Sequence, residues 1–182
     1  MKNQANAIDK KFVRNFPEIF NKPSLVNNYL EDYSSLIENN LRNKFSELKL
    51  NDNFAIYANG GFGRKEMFPN SDIDISIIEL KKIKSFHELE NFISFLWDQG
   101  FKVGHSVRSI KDVKKISKID IKEFTSYLTR RPIFSNELID KEISKILFNL
   151  WPKKKFYKAK LYEQRNRHDE YYSTAYNLEA DL

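Results

Sequence analysis

The chain has 182 residues, of which 41% are hydrophobic and 14% aromatic, a composition that favours one folded core over a disordered chain. The formal net charge of +6 suits an anionic ligand, but the lysines are spread along the chain and form no basic arm, so we expect no nucleic-acid partner. The absence of cysteine excludes disulfides, thiolate catalysis and cysteine zinc sites, and without a long apolar run we expect no membrane span and a cytoplasmic location.

The front of the chain is predicted to be helical. Apolar residues recur at helical spacing over residues 12–20 and 24–48, with Pro23 between the two stretches. Residues 54–58 form an apolar, β-favouring run that stops at two glycines, which predicts a strand entering a turn. Residues 72–78 alternate polar with apolar side chains and predict a second strand.

Helices and one further strand are predicted for the second half. Three capping patterns mark helix starts, at Ser85-x-x-Glu88, Ser109-x-x-Asp112 and Asp120-x-x-Glu123. The first of these helices is predicted to run to Asp98 and to be closed by Gly100, and residues 101–107 are predicted to form the third strand. Pro132 is expected to end or kink the helical segment that begins at Ser109 and Asp120. Helical spacing returns over residues 136–150 and 154–172. The expected fold is α/β or α+β, with a small mixed sheet flanked by helices.

A glycine turn and an aspartate pair carry the predicted chemistry. The turn at Gly60 and Gly61 lets backbone N–H groups approach an anion, because glycine has no Cβ. Asp72 and Asp74 project from one face of the second strand, where two carboxylates can share Mg²⁺ and leave its other positions to water and phosphate. Together they predict nucleotidyl transfer. The competing interpretation is an ordinary turn followed by a solvated strand edge.

The segment GGFGRKEMFPNSDIDI, residues 60–75, resembles the nucleotidyltransferase signature of the DNA polymerase β superfamily. The form is that of bacterial PII uridylyltransferases, the bifunctional uridylyltransferase/uridylyl-removing enzymes of nitrogen regulation. Residues 97–108 resemble the next block of that family, and several segments within residues 159–179 resemble the block after it. The resemblance extends from about Phe12 to Leu182.

The resemblance implies transfer of UMP from UTP to a tyrosine of the PII signalling protein, with release of pyrophosphate. It implies that Asp72 and Asp74 are catalytic and hold Mg²⁺ or Mn²⁺. The residues it assigns to nucleotide binding are Gly60, Gly61, Gly63, Arg64, Ser71 and Arg108. It divides the chain into a helical N-terminal segment, residues 1–50, and a nucleotidyltransferase domain, residues 51–182, which we expect to be truncated before the HD and ACT domains of the family.

The sequence departs from the family at two places. Residues 103–108 contain no third carboxylate, and Thr129 stands where relatives more often have an acidic residue. On the third strand, His105, Ser106 and Arg108 either belong to the nucleotide pocket or are structural.

The last predicted helix contains a weaker candidate for a metal or catalytic site. Glu163 and His168 are five residues apart and do not share a helix face, so we interpret this helix as packing and solvent-facing. The family comparison places Asn177 and Glu179 at the border of the site. Two alternatives stay open, namely another polymerase-β-type nucleotidyltransferase that uses ATP, and a truncated, non-catalytic domain that binds nucleotide.

Overall fold

A computed structural model describes residues 18, 19, 21–82 and 85–170. Four strands form one sheet in the order β3-β2-β1-β4, and they are β1 (Phe54–Ala58), β2 (Ile73–Glu79), β3 (Val103–Ser109) and β4 (Arg131–Phe134). Strand β1 is antiparallel to β2 and β4, whereas β2 and β3 are parallel. The predicted small mixed sheet flanked by helices is confirmed.

Seven helices are assigned in the described ranges: α1 (Pro23–Glu47), α2 (Gly60–Arg64), α3 (His87–Asp98), α4 (Ile110–Ile119), α5 (Ile121–Leu128), α6 (Glu137–Leu147) and α7 (Lys153–Glu170), with a 3-10 turn at Leu50–Asp52. The caps predicted for α4 and α5 are present, because Ser109 Oγ accepts from Asp112 N (3.3 Å) and Asp120 Oδ1 accepts from Lys122 N (2.8 Å). Helix α3 begins two residues after Ser85, with Phe86 at its N-cap.

The sheet separates two hydrophobic cores. Helices α1 and α3 cover one face, where Ile37, Phe45 and Phe92 pack against the alternate β2 residues Ile73 and Ile77. Helices α4 to α7 cover the other face, with a core that includes Tyr57, Ile78, Val113, Phe124 and Ile143. Because side chains alternate along a strand, Asp74 shares the second face with Ser76 and Ile78. The predicted aspartate site therefore faces α5 and α7.

The sequence interpretation missed β4, and after the turn at the two glycines it expected a short helix or a loop. Pro132 was expected to end or kink a segment, but it lies inside β4 and pairs with Tyr57 of β1. Proline is tolerated there because β4 is an edge strand, so the missing N–H interrupts no ladder on its outer side. The glycines begin the short helix α2 directly after β1.

Arg131 ties three elements of the fold together. From β4 it donates to Gly63 O (2.9 Å) and Phe62 O (3.1 Å), which are carbonyl groups of α2. It also forms an ion pair with Glu38 of α1, which is 8% exposed and accepts from Arg42 as well (2.7 Å). Arg131 thus fixes the position of α2 relative to α1 and β4.

Some predictions fall on residues that the structure does not describe. The helix predicted at residues 12–20 lies almost wholly outside the described residues, as do the positions assigned to Asn177 and Glu179. The division at residue 50 stays a prediction, although α1 shares a core with the sheet. No helix in the described ranges has both the length and the apolar character needed to cross a bilayer.

Candidate functional site

A cleft of about 760 Å³ opens on the sheet face that carries Asp74. Its floor comes from β2, β3 and the junction of β1 with α2, and its far wall comes from α5 and α7. The lining residues that bear on its chemistry are Asn59, Gly60, Arg64, Asp74, Ser76, Gly104, Ser106, Lys122, Glu123, Thr129, Lys160, Glu163 and Arg167. A volume of this size is within the range of small-ligand sites.

Two glycines flank the carboxylate of Asp74. Gly104 pairs with Asp74 in the parallel β2–β3 ladder, and a Cβ at position 104 would lie 2.4 Å from Asp74 Oδ1. Gly60 has a φ of +55°, and a Cβ there would lie 3.1 Å from Asp74 Oδ2. Both neighbours leave room for the carboxylate only because they lack a side chain. The sequence analysis assigned Gly60 to phosphate binding and did not single out Gly104.

Asp74 lies in β2 and lines the cleft, whereas Asp72 directly precedes β2, is exposed and is not among the cleft-lining residues. Partial burial raises the pKa of the Asp74 carboxyl group, and repulsion by the Asp72 carboxylate raises it further. A hard cation relieves such repulsion, and one or two carboxylates are the protein ligands that Mg²⁺ prefers. Among the residues that the structure describes, no group of three or more His, Cys, Asp or Glu side chains is placed to hold a metal ion. The donor set fits a cation completed by water and ligand oxygens.

Replacing Asp74 with asparagine is expected to raise the melting temperature of the metal-free protein at neutral pH. The raised pKa means that the folded chain binds the Asp74 proton more tightly than the unfolded chain, so ionisation of Asp74 costs folding free energy. The cost is absent below the ordinary pKa of 3.8 and grows as pH rises through the folded-state value.

Scanning calorimetry in EDTA at about pH 3 and about pH 7 measures this effect, and the variant should gain on the wild type only at the higher pH. A variant that is less stable than the wild type near neutral pH would contradict the expectation.

A buried polar contact fixes the floor behind the aspartates. Asn59, at the N-cap of α2, donates its backbone N–H to Asp74 O (2.9 Å). Its side-chain amide forms a hydrogen bond with Ser76 Oγ (2.5 Å), and the two residues are 6% and 3% exposed. Buried polar groups of this kind need their partners. Asn59 and Ser76 therefore join α2 to β2 beside Asp74, a role that the sequence analysis did not assign to them.

The other predicted nucleotide-binding residues near α2 differ in position. Gly61 is half-buried and its carbonyl accepts from Glu66 N (2.8 Å), while Gly63 is buried. Arg64 is exposed, lines the cleft and forms an ion pair with Glu66 (2.6 Å). Ser71 is half-buried, donates its N–H to Phe68 O (3.1 Å) and is not among the cleft-lining residues.

The three polar residues of β3 separate into different surroundings. Ser106 pairs with Ser76 and lines the cleft. Arg108 is on the same face but is held by Glu123, with both nitrogen–oxygen distances at 2.7 Å. His105 has the opposite orientation along the strand, and its ring centroid lies 6.2 Å from that of Trp97. These contacts favour the structural interpretation for Arg108 and the pocket interpretation for Ser106, whereas His105 both contacts Trp97 and is among the residues that line the cleft.

The far wall of the cleft carries charged residues that the sequence interpretation placed elsewhere. Glu163 of α7 was interpreted as part of a packing and solvent-facing helix, yet it is 6% exposed and lines the cleft with Lys160 and Arg167. Thr129, at the C-terminal end of α5, lines the same cleft and donates its hydroxyl to Thr125 O (3.2 Å). Thr129, which stands where relatives more often have an acidic residue, therefore lies on the wall that faces Asp74.

No protein-family model matches the chain. Among curated proteins, the bifunctional uridylyltransferase/uridylyl-removing enzyme of Pseudomonas aeruginosa is 31% identical over 192 residues, which cover 100% of this chain and 21% of the relative. Proteins of the same name from Vibrio campbellii and Nitrosococcus oceani are 36% identical over 155 residues (83% of this chain, 18% of the relative) and 37% identical over 138 residues (74% and 16%). The chain thus spans between 16% and 21% of the length of these relatives.

A solved structure described as a toxin–antitoxin with AMP-PNP matches at a TM-score of 0.42 and 16% identity, covering 71% of this chain and 96% of that chain. A likeness at that level carries no functional argument. The sequence identities do carry one, because they extend over the glycine turn, the aspartate pair and, in the Pseudomonas aeruginosa relative, the whole chain. The chain therefore belongs to the family of bifunctional uridylyltransferase/uridylyl-removing enzymes.

Proposed function

We propose that the chain carries the nucleotidyl-transfer site of a uridylyltransferase, which moves UMP from UTP to a tyrosine of the PII nitrogen-regulatory protein in the cytoplasm. The observation that supports this most directly is the position of Asp74, which is held between Gly60 and Gly104 beside a second carboxylate, on the floor of a cleft. The choice of uridine comes from the relatives' name. The site itself supports the broader class of nucleotidyl transfer.

In this proposal Asp72 and Asp74 hold Mg²⁺ or Mn²⁺, which neutralises phosphate charge and aligns the triphosphate when bound. Asn59 and Ser76 keep Asp74 in place, and the start of α2 at Gly60 leaves space for the phosphates. The tyrosine oxygen attacks the α-phosphorus, the bond to the bridging oxygen breaks, pyrophosphate leaves, and the hydroxyl proton passes to solvent. Alignment and charge neutralisation are the main contributions to rate.

The double variant Asp72→Ala/Asp74→Ala is expected to lose the Mg²⁺-dependent part of its UTP binding while keeping its fold. Without the two carboxylates, the chain no longer holds the cation that offsets the charge of the triphosphate. Calorimetric titration of MgUTP and of MgATP into wild type and variant measures the loss, and circular dichroism checks the fold. Equal binding by both proteins would overturn the metal-site assignment.

A matched control removes two exposed carboxylates that do not line the cleft, in the variant Asp52→Ala/Asp98→Ala. It should bind MgUTP as the wild type does, since exposed charges at a distance are screened. A preference for MgATP would point to a different nucleotide. Binding of MgUTP without a uridylyl adduct on PII, detected by mass spectrometry, would point to a non-catalytic nucleotide-binding domain.

A further inference from the structure

Glu163 presents a buried charge whose recorded ion-pair partners both lie on its own helix. Its side chain is 5% exposed, Lys160 Nζ lies 2.5 Å from Glu163 Oε2, and Arg167 forms an ion pair with Glu163 Oε1. Burial on its own raises the pKa of Glu163, but the hydrogen bonds from Lys160 and Arg167 outweigh it, and the net effect lowers that pKa. The carboxylate is thus kept ionised in the wall of the cleft.

Stability does not explain this arrangement. A buried ion pair contributes little net free energy to folding, because desolvation offsets the Coulomb attraction, and apolar residues of similar volume often do as well or better. Since both cations come from α7, their pairing with Glu163 does not itself join α7 to α5. That role falls to apolar contacts such as Phe156 against Phe124, whose ring centroids lie 6.0 Å apart.

The arrangement does place two cations on the α7 side of the cleft. Lys160 and Arg167 line the cleft with side chains 38% and 31% exposed, so their charged groups are in reach of a ligand there. Lys122, Asp120 and Glu123 of α5 line the same cavity, but both of these carboxylates are already engaged within the fold. Asp120 Oδ1 accepts from Lys122 N at the start of α5, and Glu123 is paired with Arg108. The floor carries the opposite sign at Asp74. A ligand that combines a bound cation with several anionic oxygens matches both surfaces.

We propose that Lys160 and Arg167 form a polyphosphate-binding subsite, with Glu163 holding both cations toward the cleft. The ligand class is the phosphate chain of a nucleoside triphosphate, and to that extent the inference rests on the proposed function. The guanidinium group of Arg167 provides directed donors for phosphate oxygens, and the ammonium group of Lys160 adds a point charge. The subsite acts on the anion directly, so it needs no divalent cation.

The test uses inorganic tripolyphosphate in EDTA, titrated calorimetrically into the 182-residue chain. The variant Lys160→Met/Glu163→Gln/Arg167→Met removes both cations and the buried charge that they neutralise, and its affinity for tripolyphosphate should fall about tenfold or more. The single variant Lys160→Met keeps Arg167 beside Glu163 and should show a smaller loss, which preserves the test if the triple variant unfolds. The control Lys158→Met/Arg165→Met removes two exposed cations of α7 that do not line the cleft, and its affinity should change less than about twofold.

The outcome is separable from that of the proposed function. The variant Asp72→Ala/Asp74→Ala should keep its metal-free affinity for tripolyphosphate while losing the gain in UTP affinity that Mg²⁺ provides. If the variants at Lys160 and Arg167 bind tripolyphosphate as the control does, the subsite is overturned and the metal site is unaffected. If Mg²⁺ still raises the UTP affinity of the double aspartate variant as it does for the wild type, the proposed function fails while the cationic subsite stands on its own result.

Discussion

Replacing Gly104 with alanine is expected to lower MgUTP binding by about 10²-fold while the sheet stays folded. The added Cβ would lie 2.4 Å from Asp74 Oδ1, closer than non-bonded atoms approach, so the Asp74 carboxylate must move. Because a carboxylate at the end of a side chain can rotate away, the cost falls on the position of the metal ligand more than on the backbone. Calorimetric titration of MgUTP measures the loss, and the UMP-transfer rate provides a second readout.

Val107→Ala is the matched control for this prediction. Val107 lies three residues further along β3, is 38% exposed and alternates onto the face opposite Asp74. Its truncation should leave MgUTP affinity unchanged. Full affinity in Gly104→Ala would show that the close approach of β3 does not set the position of Asp74. In an Asp74→Ala background, the same glycine replacement should have a much smaller effect on stability, since the clashing carboxylate is gone.

Replacing Arg131 with methionine is expected to reduce the free energy of unfolding by about 2–4 kcal/mol. The variant leaves Glu38 in a site that is 8% exposed with Arg42 as its remaining recorded partner, and it removes the donors to the carbonyl groups of Phe62 and Gly63. Urea denaturation near neutral pH measures the change. Arg42→Met is the control, because the Arg42 side chain is 43% exposed and its pairing with Glu38 is worth at most about 1 kcal/mol.

The loss at Arg131 should depend on pH. Burial by itself raises the pKa of Glu38, but the hydrogen bonds from Arg42 and Arg131 outweigh it, so the net shift is downward from 4.5. The stabilisation is therefore present above the unfolded-state value and is lost as pH falls through the lower folded-state value. The wild type should lose stability in acid more steeply than Arg131→Met. If the unfolding free energies of the two proteins changed in parallel with pH, Glu38 and Arg131 would not be coupled. The same conclusion would follow if the loss of stability in Glu38→Gln/Arg131→Met equalled the sum of the losses in the two single variants.

Most helices of the fold could be predicted from short local signals. Ser109 and Asp120 cap their helices in the structure as their patterns indicate, and Gly100 closes α3 with a φ of +85°. These signals act within one turn of the chain, so they do not depend on the rest of the fold. Strand β4 gave no such signal, since it has four residues, contains Pro132 and is stabilised by pairing with a strand more than 70 residues earlier.

The candidate site was predictable on one wall only. Gly60 and Asp74, which line the cleft, lie within 15 residues of each other, so motif spacing was sufficient to predict that they are neighbours. Lys160, Glu163 and Arg167 have the three- and four-residue spacing that is typical of a solvated helix face, and nothing local distinguishes them from one. They belong to the cleft because α7 packs beside α5 across the sheet. That placement depends on tertiary packing, which a single sequence does not encode in any short pattern.

The pairing of Gly104 with Asp74 also determines which kinds of genetic change the site tolerates. Every amino acid other than glycine carries a Cβ, so each missense codon at position 104 introduces the same atom 2.4 Å from Asp74 Oδ1, whatever the rest of its side chain. Position 104 is thus limited by the presence of one carbon atom, whereas position 74 is limited by charge. In a saturation library position 104 should therefore reject every replacement for the same reason, whereas replacements at position 74 should differ according to their charge and length, although the two residues are direct neighbours in the sheet.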